Sequence, residues 1–276
     1  MNYAKTFGLM ALLTALFVGV AGLLGGRSMM LPAFGIAALF NFGSYWFSDR
    51  IVLKMYRARP LAREDAPRLY EMVDRLRREA DLPMPTLALA PSVQPNAFAT
   101  GRSPEKGVVC VTEGILKILD EPELEGVIAH ELAHIKNRDM LIGTIAATLG
   151  AAIVFLARFG FMFGGNRDRG GVLGMLLMIV LAPLAAAVVK MAISRAGEFR
   201  ADRVGAEISG NPRGLATALQ RLEAGARRIP MDVNPAASHL CIVNPLAGGG
   251  FTKLFSTHPP TAKRVERLEE MARAGV

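Results

Sequence analysis

His130-Glu131-Leu132-Ala133-His134 carries two imidazoles four residues apart, with a carboxylate directly after the first. On a helix, positions i and i+4 share a face, so both rings reach one cation. Zinc accepts such nitrogens at about 2.0–2.1 Å. Glu131 then projects beside the metal, where it can take a proton from an activated water. Histidine occurs only 4 times in the 276 residues, which makes a chance match to this pattern rare. The competing reading is a pair of solvated helix histidines with a charged neighbour.

A zinc ion that keeps a water needs a third protein ligand. Ser194-Arg195-Ala196-Gly197-Glu198-Phe199-Arg200-Ala201-Asp202 offers one. Glu198 and Asp202 again stand four apart on one helix face. Glu198 is the expected ligand, and Asp202, with Arg195 nearby, is expected behind it, accepting from a ligand imidazole. An exposed acidic pair balanced by Arg195 and Arg203 is the plainer alternative.

Helices must present both motifs. Leu124, Val127, Ile128, Leu132 and Ile135 give the first motif a helical period, and Asp120 with Glu123 forms a capping box at its start. The second motif opens a helix expected to run to about Ser209. Asn211 and Pro212 then suit the N-cap and first turn of the next helix, to about Arg228. A helix is expected over 66–80, strands over 86–90, 96–100 and 108–112, a polar turn over 101–107, and a final helix over 261–274.

Four long apolar runs frame these segments, at 7–24, 29–47, 141–165 and 170–194. Each is near the roughly 20 residues that cross a hydrocarbon core. A cleaved leader competes for the first run, but the second follows almost at once. A hairpin lying partly against the protein competes for the last two. Arg50, Lys54, Arg57, Arg59, Arg63, Lys136, Arg138, Arg195, Arg200 and Arg203 crowd one side of the four spans. Arg27, Arg167 and Arg169 lie on the other. The positive-inside rule puts the richer side, with both termini, in the cytoplasm. The net charge of +8 is thus accounted for without nucleic acid, whose basic stripe interleaved with aromatics is missing. Two cysteines without a CxxC make neither a disulfide framework nor a cysteine zinc site.

Taken together, these features predict a mainly α membrane protein with four transmembrane helices and an α+β catalytic part carrying a small sheet. Residues 1–48 and 141–194 hold the spans, and 49–140 and 195–276 the two catalytic stretches. One zinc per chain, a bilayer and polypeptide substrates are the expected partners. The oligomeric state is not legible. Two other classes compete. A scaffold or holdase that has lost catalysis is opposed by the intact His130, Glu131, His134 and Glu198. A transporter is opposed by the scarcity of charge inside the runs, only Arg158 and Lys190.

The chain resembles the HtpX-type membrane zinc proteases. The likeness rests on His130–His134 with Ile135-Lys136-Asn137-Arg138-Asp139, on Ser194–Asp202, on Pro95-Asn96-Ala97-Phe98-Ala99-Thr100-Gly101, and on Ser256-Thr257-His258-Pro259-Pro260. The related CAAX prenyl proteases are longer and a weaker match. The resemblance implies a zincin-like catalytic domain in the cytoplasmic (inner) membrane, facing the cytoplasm, with Glu198 as third ligand. It also implies that His258 holds the oxyanion, that Asn96, Ala97, Phe98, Ala99 and Thr100 form the strand receiving substrate, and that damaged or misassembled membrane proteins are the substrates, a quality-control and stress-response role. The short loop at 165–171 leaves little structure beyond the membrane.

Overall fold

The computed structural model describes residues 2–143, 145, 195–228, 240–243 and 259–275. Most are helical, around one small mixed sheet. The third and fourth apolar runs lie almost wholly outside the described residues, as does His258.

The first two apolar runs form helices α1 (Asn2–Gly25) and α2 (Arg27–Trp46), joined at Gly26, whose φ of 68° suits a residue without a side chain. They pair as a hairpin. Asn41 donates to the Met10 carbonyl and to Thr14 Oγ1, and Phe17 stacks near Phe40. Leu31, Phe34, Ile36, Leu39 and Phe42 are more than half exposed, an apolar surface no soluble helix needs. Judged on length and apolar composition, no single helix among the described residues is sufficient to cross a membrane. The bent pair of α2 and α3 (Ser48–Met55), turned by 79°, is.

The sheet comprises β1 (Arg59–Pro60), β2 (Thr86–Ala90), β3 (Ala97–Thr100) and β4 (Val108–Thr112), in the order β1-β2-β4-β3. β3 and β4 are antiparallel across the 101–107 turn, while β2 and β4 are parallel. The crossover pairing and the short β1 were not legible in the alternation of residues. One sheet face packs α3 and Tyr56 through Val52, Ala88, Phe98 and Cys110. The other covers the main core.

That core is built by α4 (Pro67–Glu79), α5 (Glu113–Ile118), α6 (Glu121–Asn137), α7 (Arg195–Ser209), α8 (Pro212–Arg228) and α9 (Thr261–Ala274). α6 runs through its middle, buried along most of its length. Its capping box is complete: Asp120 accepts from the Glu123 backbone and Glu123 from that of Asp120, both at 3.1 Å. Asn211 caps α8 by accepting from Gly214 N–H.

Candidate metal centre

The centre forms where α6 and α7 cross. Gly205 allows the crossing: a Cβ there would lie 2.8 Å from the His130 Cα and 2.9 Å from its nitrogen. The helices therefore approach backbone to side-chain-free backbone. Glu198, Asp202 and Gly205 follow one another at four and three residues, so one stripe of α7 faces His130 and His134.

His130 Nε2 and His134 Nε2 are 3.2 Å apart. Two nitrogens bound tetrahedrally at zinc distances stand about 3.3–3.4 Å apart, so the spacing fits a shared cation. Glu198 Oε1 is 3.6 Å from His134 Nε2, and Oε2 is 4.0 Å from His130 Nε2. Ligand atoms of the three residues all lie within 4.8 Å of one another. Two neutral-capable imidazoles and one carboxylate are the donor set of an open zinc site.

Each ring faces a carboxylate with its other nitrogen. His130 Nδ1 is 3.0 Å from Asp202 Oδ1, close but bent from the linear hydrogen-bond direction. His134 Nδ1 is 3.7 Å from Asp139 Oδ2. Asp139 gets there because Arg138, in the left-handed region at φ 57°, ends α6 and folds the chain back. A carboxylate as close as Asp202 is to His130 favours Nε2 as the nitrogen free for metal, while Asp139 acts on His134 through its charge.

Arg264 of α9 locks the far side. It is 1% exposed. Its Nε and one terminal nitrogen donate to the two Asp202 oxygens at 2.8 and 2.6 Å, and the other terminal nitrogen donates to the Ile242 carbonyl at 2.9 Å. It also approaches Glu198 Oε2 at 3.8 Å. Burial alone would raise the Asp202 carboxyl, yet Arg264 and His130 hold it down to about 2. Arg195, by contrast, is exposed at the first turn of α7, and the buried guanidinium at Asp202 is that of Arg264. Neither Arg264 nor Asp139 was anticipated. Arg264 was visible only as a cation on the buried stripe that it shares with Leu268 of α9.

Burial sets the direction of titration at His130 and Glu131. It lowers His130 to about 4 and raises Glu131 to about 7. For His134 burial also pulls downward, but Asp139 and Glu198 prevail and raise it to about 9. A cation binding here displaces the His134 proton.

β3 lies at the end of the sheet beside α6. Thr112 N–H donates to Asn96 O, so Asn96 and Thr112 are a hydrogen-bonded pair. By the antiparallel alternation, Phe98 and Thr100 also pair with β4, and Ala97 and Ala99 turn their backbone groups away from it, in a strand whose four residues are all buried. The Ala99 N–H is directed at the Glu131 carboxylate. Asn96 itself, just before β3, grips a separate segment: its side chain donates to Leu240 O and accepts from Ile242 N–H.

Comparison with known proteins finds relatives along nearly the whole chain. The model of peptidase family M48 matches residues 63–272. The chain is 56% identical to the protease HtpX homolog of Salinibacter ruber, covering 99% of each chain. It is likewise 56% identical to that of Gemmatimonas aurantiaca, over 99% of this chain and 100% of the relative, and 52% identical to that of Pyrococcus furiosus, over 98% and 96%. Among solved structures it is similar to Ste24p of S. mikatae, with 18% identity, a TM-score of 0.49, and coverage of 95% of this chain and 63% of that one.

Proposed function

The chain belongs to peptidase family M48 and is a metallopeptidase, and from that premise we propose a zinc endopeptidase held in the cytoplasmic membrane by its apolar helices. The observation that carries the reading is the three-residue cluster His130, His134 and Glu198, with Glu131 beside it and the outermost strand, β3, alongside.

In this reading His130, His134 and Glu198 hold one zinc ion. When bound, the ion supplies Lewis acidity that makes water a nucleophile near neutral pH and polarises the scissile carbonyl. Glu131 accepts the proton of the attacking water and delivers it to the departing amine, a task suited to a carboxyl raised toward neutrality by burial. Asp202 and Asp139 keep the two imidazoles oriented, and Arg264 keeps Asp202 charged. His258 is proposed to stabilise the oxyanion. It stands six residues before Arg264 in sequence, and Pro259, next to it, is buried.

The substrate is proposed to lie along β3 as an added strand, with Asn96 to Thr100 as its receiving edge. Support comes from the backbone groups of Ala97 and Ala99, which face away from β4. Backbone recognition of this kind tolerates many sequences, which suits damaged or misassembled membrane proteins, the class the HtpX resemblance implies. Anchoring is supported by the exposed apolar face of α2, and the cytoplasmic orientation by the arginines and lysines that follow it.

Glu131→Gln and Glu198→Ala test the assignment. The first is expected to retain zinc by elemental analysis and to lose casein cleavage. The second is expected to lose the metal. Wild-type cleavage by Glu131→Gln removes it as the base, and full zinc content in Glu198→Ala removes that residue as a ligand.

A further inference from the structure

Aromatic and basic side chains converge where α2 gives way to α3. The 79° turn there sets α3 across the axis of α2. If α2 runs along the bilayer normal, α3 runs along the bilayer surface. Trp46 and Phe47, at the turn, are 44% and 47% exposed. The Arg102 guanidinium sits 4.3 Å from the Trp46 ring centre, and that of Arg50 5.8 Å from the Phe47 ring. Arg102 belongs to the turn between β3 and β4, so two separate chain segments bring cations to the same aromatic pair. Lys54 and Met55 continue the exposed side of α3, while Ser48 and Val52 bury the other. Asp49 is the sole acidic residue of α3. Among the described residues, Arg50, Lys54 and Arg102 form no ion pair with a carboxylate.

We propose that Trp46, Phe47, Arg50, Lys54 and Arg102 form a binding surface for the headgroups of anionic phospholipids. This rests on the membrane-anchored reading above. The chemistry is complementary: exposed Arg50 and Lys54 and half-buried Arg102, with no carboxylate partner among the described residues, stand beside aromatic rings at a helix end and suit a phosphate-bearing, negatively charged interface. The placement has a consequence for catalysis. The buried side of α3 and Tyr56 pack against Phe98 of β3, with the Tyr56 and Phe98 rings 4.5 Å apart. A headgroup held on α3 therefore sets the edge that receives substrate close to the membrane surface.

Trp46 is the sole tryptophan of the chain and reports on the site directly. The full-length protein is reconstituted into nanodiscs containing brominated phosphatidylglycerol or, at equal mole fraction, brominated phosphatidylcholine, and Trp46 fluorescence is read. One cation near an anionic surface is worth on the order of a fivefold preference. Quenching by the brominated phosphatidylglycerol is expected to exceed that by phosphatidylcholine by about threefold or more. The excess is expected to vanish in the triple variant Arg50→Gln, Lys54→Gln, Arg102→Gln. Equal quenching by the two lipids in the wild type overturns the headgroup site while leaving the anchor intact. Quenching by neither lipid overturns the anchor and the site together.

Discussion

Replacing Gly205 by alanine is expected to cost the protein its metal more than its fold. The new Cβ would stand 2.8 Å from the His130 Cα, 2.9 Å from its nitrogen and 3.2 Å from the Ala129 carbonyl carbon. All three are helix backbone and cannot swing aside. Carbon contacts are comfortable at about 3.5–4.0 Å, so α7 must retreat from α6 by roughly 1 Å. Overpacking of this kind costs about 1–3 kcal/mol. Metal sites hold ligand distances to about 0.2 Å. Glu198 rides on α7 and the histidines on α6, so the same retreat opens the ligand triangle. Zinc affinity is expected to fall at least about tenfold, comparable with the loss of an outer hydrogen-bonding partner. Gly214→Ala is the control. Its Cβ would collide with the Pro122 carbonyl, at the first turn of α6 and about two turns from His130. Zinc affinity is read by competition with a chromophoric chelator, and stability by thermal unfolding of the chelated protein. Both variants should lose stability, and only Gly205→Ala should lose affinity. Wild-type affinity in Gly205→Ala, or an equal loss in Gly214→Ala, would refute the idea that helix spacing at Gly205 sets the site.

Glu131 gives the chelated protein a pH signature. Burial raises its carboxyl from 4.5 to about 7, so the folded state holds a proton that the unfolded state releases, and stability falls as pH rises between those values. Glu131→Gln should therefore be indistinguishable from wild type at pH near 4 but more stable above pH 7, by on the order of 3 kcal/mol at most. Urea unfolding at both pH values checks this, and a pH-independent difference contradicts it. Arg264→Met strands Asp202 in the core and should destabilise by about 3–5 kcal/mol, with much of the loss recovered in the double variant with Asp202→Leu. A double-mutant cycle without coupling would dismiss the pair. Ile36→Lys with Leu39→Lys places two charges on the exposed apolar face of α2, at about 2.5–3.5 kcal/mol each for membrane insertion. The variant should become extractable by alkali, and unchanged retention would count against α2 as an anchor.

The amino-acid sequence by itself determined the local chemistry. The i, i+4 spacing of His130 and His134, and of Glu198 and Asp202, depends only on helix geometry, which a periodic apolar pattern reveals. The capping box at Asp120 and the cap at Asn211 are equally local and stand where the residues predict. The apolar runs at 7–24 and 29–47 became the α1–α2 hairpin, though among the described residues only the bent α2–α3 pair meets the length and composition of a span. Tertiary structure decided what lies between the motifs. The chain separates Glu198 from His134 by 63 intervening residues, and no pattern states that Gly205 lets the two helices meet at His130. Arg264 was hidden because a lone arginine on an amphipathic helix looks like a solvated charge until Asp202 and the Ile242 carbonyl are folded around it. Asp139 became a partner of His134 only through the left-handed turn at Arg138. Spacing within one helix follows from the covalent chain, whereas contact between helices depends on which surfaces can approach, and that is fixed by packing.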